Sequence, residues 1–363
     1  MGNFIKGLDL CEAFFRKIVE PVISHNFSEL KFTAGLLGYG SDVIGYDDIV
    51  STDHMWGPRL YIFLQESDMH RKDELFECIA QNLPYTFMGF SVHFSPPDPN
   101  DGGIRHAEFI ESGKVNPLIW IQTIDSFVEE YLGKLPESFS DWLALSEHRL
   151  LGFTAGKLFR DDLGLENIRK SLSFYPEDVK MYLIASQWGL IAEEQAFVKR
   201  CAVRDDEIGS RMVCARIAER LMRLCFLYKN NYAPYSKWFG TAFNNLDINC
   251  DIKKAILSAL KADNIADRES LIVKAQSLVI ETHNSFNITA PFSSEPQSYF
   301  GRDIQVLYVD RLAGLIRENI KDGKLKACPL FGTLSQIGNF VELSDNPAYA
   351  DNISRLYLYS KQT

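Results

Sequence analysis

The hydrophobic pattern of this chain changes period once, and that change limits the folds open to it. Up to about residue 125, short apolar runs of strand character are interspersed with helical segments; beyond it, the patterned segments repeat at three- and four-residue spacing. Residues 29–37, Leu60–Gln65, Phe87–Phe94, Arg105–Ile110 and Pro117–Thr123 read as strands. Residues 4–22 and Lys72–Asn82 read as amphipathic helices, the first ended by Pro21. Helical period then returns at Ser126–Gly133, Ser138–Leu145, Asn167–Leu172, Pro176–Lys199, Ile208–Lys229, Lys253–Ala262 and Asp267–Thr282. Residues 96–103 (PPDPNDGG) are turn chemistry, and residues 284–300 read as a long loop before terminal helices around 303–321 and 346–360. The expected fold is α+β: a small mixed-sheet domain over residues 1–125, followed by a larger all-helical domain over residues 126–363.

Composition narrows the function classes. The 363 residues are 46% hydrophobic and 24% charged, the balance of a soluble globular protein. A net charge of −10 argues against general binding to nucleic acid or to anionic membranes. The 7 cysteines form no C-x-x-C pair and have no zinc-finger spacing, so reduced thiols and a cytoplasmic location are expected. The first residues carry acidic groups within an apolar helical period, which reads as a helix and not a signal peptide, and no run of eighteen apolar residues offers a membrane span.

The stretch from Gly38 to Leu64 concentrates the chemistry. A glycine-rich turn, Gly38-Tyr39-Gly40-Ser41, precedes Asp42, Asp47, Asp48 and Asp53, and the stretch ends in Trp56-Gly57-Pro58-Arg59 and a buried-strand pattern. Between Phe32 and Pro58 there is no Lys or Arg. Carboxylates without a basic partner repel one another unless water, a hydrogen-bond network or a cation relieves them. Two roles are open for the next residue, Arg59: pairing with a phosphate or neutralising an Asp.

Gly40-Ser41 followed by Asp53 ahead of a hydrophobic strand resembles the signature of polymerase-β-like nucleotidyltransferases. The longer string GYGSDVIGYDDxxSxDHxWGPR is similar to the DUF4037 family of bacterial nucleotidyltransferase-like proteins. Asp141-Trp142-Leu143, Thr154–Gly164, Tyr175–Val179, Arg204–Ser210 and Tyr232–Gly240 extend that resemblance over roughly residues 30–245. The resemblance implies a metal-dependent transfer of a nucleotidyl group from an NTP, ATP foremost, to an acceptor, with a small molecule favoured. It implies Gly40 and Ser41 at the phosphates and Asp53, completed by Asp48 or Asp47, on Mg2+ or Mn2+. Met55 stands where the pattern has its second carboxylate, and a thioether is a poor ligand for a hard cation. The third carboxylate of the pattern is also not visible: the strand expected at Phe87–Phe94 offers His93 alone. A catalytically degenerate nucleotide-binding or regulatory protein on the same fold is therefore the competing reading, and a regulator that modifies or binds RNA or a partner protein is a third.

In the helical half, three features carry a structural and a functional reading each. Asp206 and Glu207 open a long helix, where carboxylates cap backbone N–H groups, or where one serves as general base for the acceptor. Arg216, Arg220 and Arg223 form either a solvated face or a cationic wall for triphosphate. Lys237, in the aromatic string Tyr232–Phe239, lies beside a hydrophobic clamp and is a further candidate for phosphate.

Overall fold

The computed structural model describes residues 4–52, 55–338 and 340–358. The chain divides into two compact units: Met1–Leu135 with Arg149–Ser173, and Pro136–His148 with Phe174–Thr363. The fold is α+β, with a small mixed sheet in the first unit and helices dominating the second.

In the first unit, helix α1 (Gly7–Phe14) runs through a π-helical turn, Phe15–Val19, into Glu20–Asn26. Pro21 was expected to end this helix but lies inside it. The π turn just before it widens the ladder, and Pro21 occupies the first turn of the next segment, where no i→i−4 donor is demanded. The sheet consists of β1 (Phe32–Leu36), β2 (Arg59–Leu64), β3 (Leu118–Gln122) and β4 (Lys157–Asp161) in the order β3-β2-β1-β4. β1 is antiparallel to β2 and β4, whereas β2 and β3 are parallel.

Every residue of β1 and β2 is buried, because the sheet is covered on both faces. Leu60, Ile62 and Leu64 join Leu10, Phe14, Phe15, Leu75 and Ile79 in one core. Tyr61 and Phe63 alternate to the other face. Tyr61 stacks on Trp120 at 4.6 Å, and Phe127 of α3 (Ile124–Leu132) packs on Tyr61 and Phe63 at 5.1 and 5.4 Å. Helix α2 (Lys72–Gln81) contributes Leu75 and Ile79 to the first core.

The expected boundary at residue 125 does not coincide with the division of the chain, because β4 returns from residues 157–161 to pair with β1. Its sequence, Lys-Leu-Phe-Arg-Asp, is short and charged and gives little strand signal. It is fixed by Thr33, whose hydroxyl bonds Asp161 at 2.8 Å and accepts from Leu163 N–H at 3.1 Å. The expected strand at 87–94 is reduced to two residue pairs around a turn at Met88-Gly89, both at positive φ. Of residues 105–110, Ala107 alone makes an isolated bridge, to Phe94.

The second unit is built on α4 (Glu177–Glu194), α5 (Glu207–Tyr228) and α6 (Ile265–Ser285). Among the described residues, no helix is long and apolar enough to cross a membrane. A buried polar chain links the three: the Trp188 indole N–H donates to the Tyr228 hydroxyl at 2.9 Å, and that hydroxyl lies 3.1 Å from His283 Nδ1. The other ring nitrogen of His283 is 2.9 Å from the Thr289 hydroxyl.

Burial holds the His283 imidazole neutral and lowers its pKa from 6.5 to about 4. Between those values the unfolded chain binds a proton that the folded chain refuses. Stability from this site is therefore complete above pH 6.5 and declines as pH falls toward 4, by about 3 kcal/mol over the whole window. His283→Asn should remove this part of the pH dependence. Chemical denaturation at pH 7 and pH 4.5 should show wild type losing about 2 kcal/mol more than the variant over that interval; equal losses would contradict the assignment.

Candidate functional site

The Gly38–Arg59 loop joins β1 to its antiparallel neighbour β2, and its shape is set by two buried aspartates. Arg59, the first residue of β2, is 3% exposed. Its Nη2 donates to Asp42 Oδ1 at 2.7 Å and to the Tyr39 carbonyl at 3.0 Å. Gly40, at φ +126°, lies against this pair, and a Cβ there would collide with both Asp42 Oδ1 and Arg59 Nη2. Asp47 is 1% exposed and caps α1, its Oδ2 accepting from Gly7 N–H at 2.7 Å and from the Trp56 indole at 3.2 Å. The Lys6 ammonium is 3.2 Å from Asp47 Oδ1. Gly7 has no room for a Cβ, which would meet Asp42 and the Trp56 indole within 2.6–2.9 Å.

The basic partners missing from residues 32–58 thus arrive from outside the stretch, as Lys6 and Arg59. Arg59 meets Asp42 at Oδ1 and Lys6 meets Asp47, whereas Asp42 Oδ2 is buried without a hydrogen-bond partner among the described residues. Cys11, whose Sγ donates to the Gly57 carbonyl at 3.2 Å, has its thiol pushed up to about 12 by burial and by the Asp42 charge. It stays protonated and is no nucleophile.

The outer part of the loop is different. Tyr39 and Gly40 are exposed, and among the described residues no hydrogen bond uses the backbone N–H of Gly40 or Ser41, or the Ser41 hydroxyl. Asp48 is exposed and its Oδ1 accepts from Val50 and Ser51 N–H groups at 3.0 and 2.9 Å. Desolvation raises its pKa, but the hydrogen bonds from Ser51 and Val50 outweigh that and hold it below the usual carboxylate range. Asp53 lies outside the described residues. Among the described residues, no group of three or more His, Cys, Asp or Glu side chains forms a metal site. Asp47 is committed to α1, Trp56 and Lys6, whereas Asp48 engages only backbone N–H groups of its own loop.

The other expected site residues lie in the second unit. Asp206 caps α5, its Oδ1 accepting from Gly209 N–H at 2.8 Å. Glu207 bonds the buried Arg268 and, at 2.7 Å, Arg211. Arg268 chiefly holds its carboxyl below the usual range, the wrong direction for a general base near neutral pH. The arginine stripe is not a common face: Arg216 pairs with Glu194, whereas Arg223 is buried against Glu147 and Glu219. Lys237 is exposed, its ammonium 5.1 Å from the Trp238 ring centre. Of the expected residues, the Gly38–Arg59 loop gathers Gly40, Ser41, Asp47, Asp48 and Arg59. Sequence reading missed the Lys6 and Cys11 contributions, which only the approach of α1 to the loop reveals.

Residues 142–239 match the family model of a domain of unknown function, DUF4037. The match includes Tyr232–Phe239 and stops short of Gly38–Arg59. No curated protein matches the chain. Among solved structures, a nucleotidyltransferase-like protein from Exiguobacterium sibiricum 255-15 aligns over 85% of this chain and 89% of its own, at 11% identity and a TM-score of 0.34.

The buried pair gives the loop a testable anchor. Arg59→Met leaves Asp42 buried and uncompensated and should cost about 3–5 kcal/mol in chemical denaturation. Adding Asp42→Asn, which removes the stranded charge, should restore part of that loss. If the single variant is as stable as wild type, the pair does not hold the loop.

Proposed function

We propose that the chain transfers a nucleotidyl group from an NTP, ATP foremost, to a small-molecule acceptor, using the outer part of the Gly38–Arg59 loop. The observation that carries this reading is the Gly40-Ser41 turn, whose backbone N–H groups and hydroxyl are unused among the described residues, with Gly40 exposed and the Asp42–Arg59 pair buried beneath it. Convergent N–H groups at a glycine turn bind phosphate oxygens, and fixed donors need no reorganisation when charge develops on them. Arg59 and Asp47 act from below, keeping the turn in place rather than touching phosphate.

In the reaction, an acceptor oxygen bonds to the α-phosphorus and the bond to pyrophosphate breaks. Asp48 and Asp53 would hold Mg2+ or Mn2+, which when bound neutralises phosphate charge. No role in this reaction is assigned to Asp206, Glu207 or Lys237. A second reading, nucleotide binding without turnover, is favoured by Met55 at the position of the second carboxylate and by Asp47 being taken up structurally.

Calorimetry with MgATP tests the site. Ser41→Ala should weaken binding about tenfold, the loss of one hydrogen bond to a charged group. Asp53→Asn and Asp48→Asn should weaken the metal-dependent part, with melting temperatures near wild type. ATP binding indifferent to all three substitutions would place the nucleotide elsewhere. Pyrophosphate release supports the transferase, whereas binding without release across an acceptor panel supports the second reading.

A further inference from the structure

The helical unit contains a cavity of about 280 Å3, close to the lower end of the roughly 300–1,000 Å3 typical of ligand sites. Twelve of its eighteen lining residues fall within the matched segment 142–239, and the other six come from Leu260 and from residues 335–345. Met222, Pro234, Tyr235, Phe239 and Leu260 give it an apolar and aromatic wall.

Its charges do not balance. Three carboxylates, Glu147, Glu219 and Asp345, face one guanidinium, Arg223, and one imidazole, His148. Arg223 is fully engaged with the first two: Nη1 reaches Glu147 Oε2 at 3.2 Å and Nη2 reaches Glu219 Oε1 at 2.9 Å, with its guanidinium 5.0 Å from the Phe239 ring centre. An incoming anion would have to displace one of those carboxylates. Asp345 is 9% exposed, and its Oδ1 accepts from the Ser146 and Ser344 hydroxyls. Among the described residues, no cation lies within ion-pair distance of Asp345 and no hydrogen bond reaches its Oδ2. A nearly buried carboxylate beside an apolar wall, with its charge unmatched, calls for a positively charged partner.

We propose that this cavity binds a small organic monocation, an amine on a compact apolar or aromatic body, with its ammonium on Asp345 and its body against Tyr235 and Met222. Aromatic faces in the wall add to the preference for a cation. The fit is independent of the nucleotide reading, which concerns residues of the first unit.

The test uses three molecules of one shape: 2-phenylethylamine, the neutral 2-phenylethanol and the anionic 3-phenylpropionate, titrated calorimetrically into the full chain. The amine should bind at one site, with the alcohol at least about tenfold weaker and the carboxylate weaker still. Asp345→Asn keeps the acceptor for the two serine hydroxyls and so preserves the local fold, which its melting temperature checks. In that variant the preference for amine over alcohol should collapse to within about threefold. Ala218→Leu, which fills the cavity, should abolish binding of all three; Ala215→Leu, also on the lining, provides a second filling variant if the first unfolds. The proposal is overturned if the three molecules bind alike, if none binds at millimolar concentration, or if Asp345→Asn keeps the preference.

Discussion

The first unit depends on one buried ion pair. Asp42 and Arg59 bring the two ends of a long loop together, and the same guanidinium holds the Tyr39 carbonyl. Two desolvated charges are a doubtful source of net stability, but they are an effective source of register, since any other arrangement leaves a charge stranded. Gly40 follows from the pair, because only a residue without a side chain leaves space for it. Asp47 then ties the far side of the loop to α1, and the Cys11 thiol closes against Gly57. The Gly40 and Ser41 donors, unused among the described residues, sit beside this network, so the outer part of the loop is positioned by the buried part.

Much of this arrangement was legible in the sequence. β1 and β2 are apolar runs bounded by turn residues, and the structure moves their ends by only a few residues from the pattern. The helical segments expected between Ser126 and Thr282 also have counterparts close to where their period puts them, although Pro176–Lys199 divides after Glu194 and the helices Glu147–Thr154 and Ser236–Asn245 went unread. What the sequence concealed was pairing over long separations. The absence of Lys and Arg between 32 and 58 suggested unmatched carboxylates, whereas Lys6 and Arg59 reach in from either side. The run Phe87–Phe94 has strand composition, but Met88-Gly89 turns it back on itself. β4 was hidden because its residues are mostly polar and its place depends on Thr33, more than a hundred residues earlier.

In the helical unit, local spacing misled in a different way. Three arginines at helical intervals suggest a shared face, yet Arg216 and Arg223 meet different carboxylates and differ in burial. The aromatic string Tyr232–Phe239 proves to be wall material: Pro234, Tyr235 and Phe239 line the cavity while Tyr232 packs on Phe174 and Tyr175 at 5.1 Å each. Asp206 and Glu207 are a helix start whose carboxylates are taken up structurally, Asp206 by Gly209 and Glu207 by Arg211 and Arg268.

Because β4 follows residues 136–148, the chain leaves the first unit and returns before finishing it. This ordering has a consequence for synthesis on the ribosome. The first three strands emerge with β1 lacking its second neighbour, an apolar edge that invites mispairing with other chains. The sheet is not complete until residue 161 is clear of the exit tunnel, by which time residues 136–148 of the second unit have already been made. A break anywhere between residues 136 and 156 would separate β4 from the strands it completes. The sheet can close once residue 161 has emerged, well before the second unit has all of its residues.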